Sequence, residues 1–354
     1  MSIHKRLCAM GAIAAVTTVL AACGGGGSSS DEKSLTVTMW GGTAQEAHVD
    51  SYVKPWAEEA GVEVQQDSPT DYAKIRAQVE ADNVSWGVVE VEPNFAKSAC
   101  DDGLLTKLPD NVLDAAKEAK IAPEQMGECS IPNLQYAFTI GYNTDEFGDD
   151  HPKTWAEFFD TEKFPGKRAF WKSATGGIFE AALLADGVAP KDLYPLDIDR
   201  AFDKLDTIKD DIVFYDTGDQ MTQMLASGEA PLIQAWNGRI SEAAEAGEPV
   251  ANEWNQHFIT YDQVAIPKGY ANTDLAQDWM EWFLTNPKAQ AKDAEASGYG
   301  PASPTAMEYV PEEAAKSLPA HKSHASQSAL TVDYDYWSEN YDKVTEELNA
   351  WMAQ

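Results

Sequence analysis

The chain is poor in basic residues, and this scarcity limits what its surface can bind. Its 354 residues include 26 lysines and arginines against 58 aspartates and glutamates, which gives a formal net charge of -32 at pH 7. Nucleic acid and anionic lipid are disfavoured as partners, because both are negatively charged. Two explanations of the acidity stay open: a salty habitat, in which acidic surfaces keep proteins soluble, or a cationic ligand attracted by the field.

Catalytic motifs are also missing. The sequence contains no Gly-x-Ser-x-Gly, no His-Glu-x-x-His, no phosphate-binding loop and no dinucleotide fingerprint. His321 and His324 have a spacing that could hold a metal, but their polar neighbours favour an exposed loop. We therefore predict no enzyme, no metal site and no cofactor, while a glycosidase built on two distant carboxylates stays open as an alternative.

Long apolar runs are scarce, and the one near the N-terminus predicts export. Lys5 and Arg6 precede the segment Leu7–Leu20, which is too short to span a bilayer. The order Leu20-Ala21-Ala22-Cys23 before a Gly/Ser run resembles the lipobox of bacterial lipoproteins. It implies a signal peptide over 1–22, lipid on Cys23 and a flexible tether over 23–34, so that only the anchor contacts the membrane. An ordinary secretory signal is the alternative.

Cysteines are few, and two remain once the signal peptide and the anchor are set aside. Cys100 and Cys129 would lie in a compartment where disulfides persist. A bridge between them would stabilise the fold by roughly 3–4 kcal/mol in the chain-entropy model. Zinc is disfavoured because no histidine pattern accompanies the pair. We predict the disulfide, with two buried free thiols as the alternative.

Strand and helix patterns alternate along the rest of the chain, which is long enough for two domains. Residues of alternating character predict strands at Leu35–Trp40 and Val88–Val91. Pro55 is expected to kink or stop the first helix, and Asp199 to cap a helix that begins at Arg200. These patterns favour an α/β fold with a mainly parallel sheet.

The stretch Leu232–Pro267 combines two strand-like runs with a short helix between them. Trp236, Arg239 and Asp262 occur at the strand ends, where an open α/β sheet presents its ligand crevice. Each residue alone has a simpler interpretation, since such a tryptophan usually packs in a core and such an arginine is usually solvated. Their combination makes this stretch the first candidate for a binding site.

Several segments carry a resemblance to a known family: Gly141–Asp145, Pro152–Asp160, Lys163–Arg168, Trp236–Gly238, Tyr261-Asp262, Ala265–Pro267 and Gly298-Tyr299. Together they resemble the spermidine/putrescine-binding proteins of bacterial ABC importers over 35–352. The resemblance implies a two-lobed periplasmic-binding-protein fold of type II with a ligand cleft between the lobes. The implied lobes are 35–139 plus 265–302, and 140–264 plus 303–354. Closure would be a hinge motion where the chain crosses between them.

Matching positions imply the site. In that family, aromatic side chains stack on the ligand and acids pair with its ammonium groups. The corresponding residues here are Trp40, Thr43, Glu92, Asn94, Trp236, Asp262 and Tyr299. Core packing is the alternative for the aromatic residues. For Asp262 the alternative is a surface position, although an acid in an apolar run needs a partner.

Two departures from the family pattern bear on the ligand. Ser173–Gly177 stands where those proteins carry acids, so one ammonium site is expected to be missing. Arg239 stands where they have a small uncharged residue, and its cation would repel a diamine and pair with a carboxylate. An outward position, or a pair with Glu242, is the alternative.

We predict a monomeric, lipid-anchored solute-binding protein at the periplasmic or outer face of the cytoplasmic membrane. It would capture a polyamine such as putrescine or spermidine and deliver it to an ABC permease. The alternative ligand is a zwitterionic amine such as 4-aminobutyrate. A ferric-iron site built from Tyr334, Tyr336 and Tyr341 is a lower alternative, because these tyrosines fit one face of a terminal helix better.

Overall fold

The computed structural model describes residues Lys33–Gln354. The predicted signal peptide, Cys23 and nearly all of the tether lie outside the described residues. A ten-stranded sheet organises the described part of the chain. Its strands are β1 Ser34–Thr38, β2 Glu63–Asp67, β3 Val88–Val91, β4 Ser130–Asn143, β5 Arg168–Trp171, β6 Ile212–Tyr215, β7 Leu232–Trp236, β8 Val250–Ala265, β9 Gly300–Pro301 and β10 Leu330–Thr331.

The sheet has two parallel wings and an antiparallel centre, in the order β2-β1-β3-β8-β4-β7-β5-β6. The first wing consists of β2, β1 and β3, and the second of β7, β5 and β6. Between them, β4 and β8 pair antiparallel along most of their length. The predicted two-lobed α/β fold agrees with this topology. The centre is antiparallel because two long strands cross between the lobes in opposite directions, which the prediction of a mainly parallel sheet did not include.

The two central strands join the lobes, and each wing is the sheet of one lobe. Near one end of β8, Gln263 pairs with Val91 of the first wing. In the second half of β4, Phe138 pairs with Trp236 of the second wing. The short strand β9 adds a third passage beside Leu134 of β4. The predicted lobe boundaries at 139/140 and 264/265 fall inside continuous strands, and they stay a prediction.

Helices cover both faces of the sheet. They are α1 Gly42–His48, α2 Lys54–Ala60, α3 Tyr72–Glu80, α4 Pro93–Asp101, α5 Asp110–Glu118, α6 Thr144–Phe147, α7 Trp155–Phe158, α8 Ile178–Ala185, α9 Ile198–Asp206, α10 Gly218–Ala226, α11 Asn237–Glu245, α12 Thr273–Thr285, α13 Pro287–Ser297, α14 Glu312–Ala315 and α15 Tyr334–Met352. Among the described residues, no helix is both long enough and apolar enough to cross a membrane.

Two helix boundaries differ from the prediction. The helix continues past Pro55, because a π-helical turn at Val49–Val53 links α1 to α2 and places the proline in the first turn of α2. The π-helical turn interrupts the regular α-helical bonding directly before the proline, which lacks an N–H and cannot take part in it. Asp197, rather than Asp199, caps α9 by accepting a hydrogen bond from the backbone N–H of Arg200.

Each lobe has its own apolar core. Trp56 and Trp279 are fully buried in the first core, and Phe170 and Trp337 in the second. Trp337 belongs to α15, so the predicted terminal helix closes the second core with its apolar face. Cys100 and Cys129 are joined in a disulfide. The described structure therefore places two packed bodies on either side of the crossing strands.

Candidate functional site

A cavity lies between the wings, where the first wing meets the central strands. The cavity is small, with a volume of about 40 Å³. The lining residues are Trp40, Gly41, Ala44, Gln45, His48, Glu90, Glu92, Leu134, Tyr136, Trp171, Trp236, Arg239, Asp262 and Tyr299. Six of the eight residues predicted for the site are among them. Both lobes contribute to the wall, so the cavity is a cleft covered from two sides.

Thr43 and Asn94 are the two predicted residues that the cavity wall does not include. Thr43 is exposed and lines an outer groove behind Arg239. Asn94 is buried in the first turn of α4, which turns it towards a separate pocket beside α15. Tyr334, Tyr336 and Tyr341 lie on α15 and are likewise not part of the cavity wall.

Three buried acids form one side of the cavity. Glu90 belongs to β3 and Glu92 follows it, and residues two apart on a strand share a face. Asp262 comes from the neighbouring strand β8. The relative exposure of the three side chains ranges only from 1% to 5%, so water screens their charges little. We call this group the acidic wall.

Hydrogen bonds satisfy most of the acidic wall. Asn133 donates to Glu90 at 2.6 Å, and Thr175 donates to Glu92 at 2.6 Å. The indole N–H of Trp40 donates to Oδ2 of Asp262 at 2.9 Å. The other oxygen of that carboxyl, Oδ1, is buried and has no hydrogen-bond partner within the described part of the chain. One acceptor of the wall is therefore available to a ligand.

Burial raises the pKa of all three carboxyls of the acidic wall. The pKa of Glu92 rises to about 7, although the hydroxyls of Thr175 and Tyr72 partly offset the burial. For Asp262, burial raises the pKa well above its ordinary value, and the charges of Glu90 and Glu92 raise it further. Burial also raises the pKa of Glu90. A ligand cation would relieve this repulsion and favour the ionised forms.

Arg239 lies at a different part of the cavity, in the first turn of α11. Its side chain is 6% exposed, so it points inward. Nη2 donates to the carbonyl oxygen of Gly41 at 2.8 Å, and Nη1 donates to the hydroxyl of Thr43 at 2.8 Å. Thr43 in turn donates to Glu242 at 2.6 Å. The two alternatives, an outward arginine and an arginine paired directly with Glu242, are therefore wrong.

One donor of this guanidinium is unused. Nε of Arg239 is buried and, among residues 33–354, has no hydrogen-bond partner. The acid nearest to the guanidinium is Asp219 at 3.5 Å, and its side chain is 76% exposed, so the pair is partly screened by solvent. A buried guanidinium without a close counter-ion favours an anionic group beside it. A carboxylate can receive two parallel hydrogen bonds from arginine.

Aromatic side chains enclose the space between the acids and the arginine. Trp171 makes edge-to-face contacts with Trp236 at 5.1 Å and with Trp40 at 6.4 Å between ring centroids. Tyr136 and Tyr299 form a further edge-to-face pair at 5.9 Å. Faces of such rings attract cations and exclude water from aliphatic groups. The cavity therefore suits a short apolar chain with a cationic end.

The Trp-Asn-Gly segment is anchored from several directions. The side chain of Asn237 accepts a hydrogen bond from the backbone N–H of Ala137 and donates to the carbonyl of Gly298. A Cβ atom on Gly238 would lie 2.5 Å from the ring of Tyr299, so only glycine allows this approach. The motif thus packs the backbone that follows Trp236 directly against the ring of Tyr299.

Sequence reasoning missed several lining residues. Glu90 had a signal, because it interrupts the apolar run Val88–Val91. His48 had none, because its partner Asp293, at 2.6 Å, lies 245 residues away. Burial lowers the pKa of His48, but the charge and hydrogen bond of Asp293 together outweigh it, so the pKa is raised. Trp171 had no local pattern that separates a cavity residue from a core residue.

Comparisons with known proteins agree with this architecture. The family model described as bacterial extracellular solute-binding protein matches residues 51–323. A gamma-aminobutyric acid-binding protein of Pseudomonas aeruginosa is 32% identical over 331 residues, covering 91% of this chain and 92% of the relative. A solved GABA receptor is 41% identical, with a TM-score of 0.82 over 91% of this chain and 98% of the other.

A third relative, the second with a solved structure, was solved with a different ligand. The protein AgtB of A. tumefaciens R10, solved in complex with agropinic acid, is 29% identical with a TM-score of 0.81, covering 91% of this chain and 99% of the other. These matches confirm the predicted two-lobed binding-protein fold. The family model covers more than half of the chain, and each of the two solved relatives covers 91% of it. The chain belongs to the family of bacterial extracellular solute-binding proteins.

Proposed function

We propose that this protein captures a small zwitterionic amine, an ω-amino acid such as 4-aminobutyrate, and delivers it to the permease of an ABC importer. Its family consists of substrate-binding proteins of transporters and not of enzymes. Lipid attachment at Cys23, a periplasmic or outer-face location and a monomeric state belong to the same proposal. They rest on the sequence alone.

One observation carries the choice of ligand. The cavity wall contains an unused buried acceptor, Oδ1 of Asp262, and an unused buried donor, Nε of Arg239, within the described chain. The acceptor suits an ammonium group, and the donor suits a carboxylate. The aromatic residues between them suit a short methylene chain. A zwitterion with its charges at opposite ends satisfies all three features.

A diamine satisfies only part of the cavity. Its second ammonium would lie near Arg239, where two like charges in a poorly solvated space repel each other. The predicted polyamine therefore gives way to its alternative, a zwitterion. The names of the Pseudomonas aeruginosa relative and of the solved GABA receptor support the same choice, because gamma-aminobutyric acid is 4-aminobutyrate.

A thermal-shift screen tests the proposal. A ligand that binds only the folded state raises the melting temperature, and at 100 times its Kd it stabilises by about 2.7 kcal/mol. We expect a large shift with 4-aminobutyrate, a small one with putrescine, and none with butyrate or ferric ion. A larger shift with putrescine than with 4-aminobutyrate would restore the polyamine assignment. A shift with ferric ion alone would contradict both.

A further inference from the structure

Arg239 forms part of the cavity wall and connects the two lobes through hydrogen bonds. It belongs to α11, which follows β7 of the second wing, whereas its acceptors Gly41 and Thr43 follow β1 of the first wing. The hydroxyl of Thr43 continues the connection back to Glu242 of α11 at 2.6 Å. Three hydrogen bonds of 2.8 Å or less thus link one turn of α11 to Gly41 and the first turn of α1.

Two glycines make room for this connection. A Cβ atom on Gly42 would lie 2.8 Å from Nη1 of Arg239, and one on Gly218 would lie 2.8 Å from Nε. A side chain at either position would therefore displace the guanidinium. The arginine is therefore held in a slot with one glycine on each side, one from each lobe.

We propose that Arg239 is a cross-lobe latch whose closed position depends on the ligand's carboxylate. This proposal rests on the proposed function and deepens it. Arginine has five N–H donors, and two of them bind the first lobe here. The remaining donors bind the carboxylate, which also supplies the close counter-charge that the exposed Asp219 provides only weakly.

The latch explains how one residue discriminates between two ligands that share an ammonium group. A ligand with a carboxylate neutralises the buried guanidinium, so the closed form is stable. A ligand without one leaves a buried cation unbalanced, so the closed form is disfavoured and the ligand leaves quickly. Selectivity for the zwitterion is then expressed mainly in the rate of dissociation, since most affinity differences among related complexes lie there.

Thr43→Val tests the latch without altering the cavity wall. Valine has a similar shape and removes both the acceptor for Arg239 and the donor to Glu242. The matched control is Thr222→Val in the same outer groove, because the hydroxyl of Thr222 donates within α10, to the carbonyl oxygen of Gly218, and has no other partner among residues 33–354. Stopped-flow tryptophan fluorescence measures association and dissociation of 4-aminobutyrate, and small-angle scattering measures compaction on binding.

We expect Thr43→Val to raise the dissociation rate of 4-aminobutyrate about tenfold, the usual effect of losing a charge-assisted hydrogen bond. The association rate and the melting temperature without ligand should not change, because the latch forms only on closure. Compaction at saturating 4-aminobutyrate should be smaller than in the wild type. Thr222→Val should behave as the wild type does.

Gly218→Ala provides a second, independent variant, since it crowds Nε from within the second lobe at a backbone conformation that alanine can adopt. It should also raise the dissociation rate. Wild-type dissociation rates in both Thr43→Val and Gly218→Ala would overturn the latch. Failure of the wild type itself to bind 4-aminobutyrate would instead overturn the proposed function, so the two failures are distinguishable.

Discussion

The acidic wall and the Arg239 latch face the same cavity but are built in different ways. The acidic wall comes from adjacent strands, β3 and β8, whose pairing fixes the positions of Glu90 and Asp262. The latch joins the start of α11 in one lobe to the start of α1 in the other. One charged region is therefore held by the pairing of adjacent strands, while the other depends on contacts between the two lobes.

This difference separates two parts of recognition. The strands present the acidic wall in every state of the lobes that keeps the central sheet intact, so an ammonium group can be bound before closure. In the latch that we propose, the guanidinium completes its contacts with Gly41 and Thr43 when the lobes close. On the latch proposal, the ammonium end of the ligand is recognised first at the acidic wall, and the carboxylate end then determines whether the cleft stays closed.

Removal of Arg239 should have the largest effect on ligand affinity, and it should separate the role of the latch from that of the acidic wall. Arg239→Ala removes the carboxylate partner and the latch together, and loss of one partner of a buried charge pair costs about 3 kcal/mol, or about 100-fold in Kd. Isothermal titration should show this loss for 4-aminobutyrate and a smaller change, or a gain, for putrescine. Arg239→Lys keeps the charge without the planar fork and should fall between the two. An equal loss for both ligands would mean that Arg239 does not select the zwitterion.

Asp262→Asn should have the next largest effect. The amide keeps the shape of the side chain but carries no charge, so a charge-assisted bond to the ammonium is lost at a cost of about 2 kcal/mol, or about 30-fold in Kd. Both 4-aminobutyrate and putrescine should bind more weakly. The control is Glu128→Gln, a surface acid paired with Lys107. Unchanged affinity in Asp262→Asn would remove this carboxylate from the site.

A smaller effect concerns pH and the stability of the ligand-free protein. Burial raises the pKa of Glu92 to about 7, so the folded protein holds a proton that an unfolded glutamate has already released. Because the folded state binds more protons in this range, stability must fall as the pH rises. Between about pH 6 and pH 7.5 the loss from Glu92 should be about 1 kcal/mol.

Glu92→Gln checks that assignment, because glutamine resembles the protonated acid and does not titrate. Urea unfolding at the two pH values should show a smaller decrease in stability for the variant than for the wild type. The remaining decrease should come from Glu90 and Asp262, whose pKa values are also raised by burial. An identical pH dependence in both proteins would place the ionisation of Glu92 outside this window.

The sequence predicts the acidic wall better than it predicts the latch. Asp262 and Trp236 could be found because each lies within a motif that matches a family, and the cavity contains both. Thr43 was predicted as a ligand contact, whereas it lies behind Arg239, because the sequence does not say which side of the first turn of α1 faces the cavity. Its partner lies 196 residues away, a distance over which no local pattern operates.

Local rules also failed where a neighbour could take the same role. Asp197 and Asp199 are both good caps, and only the backbone conformation selects the first. Pro55 reads as a helix stop, but the π-helical turn before it gives the proline a tolerated position. The general fold was predictable because the alternation of strands and helices is redundant over many residues, whereas each of these details depends on one contact.

The most direct test of the account is a crystal structure of the protein with 4-aminobutyrate. We predict the ammonium nitrogen within hydrogen-bond distance of Oδ1 of Asp262, and a carboxylate oxygen within the same distance of Nε of Arg239, with the bonds from Arg239 to Gly41 and Thr43 intact. A ligand bound in the opposite orientation, or bound while Arg239 points to solvent, would contradict it.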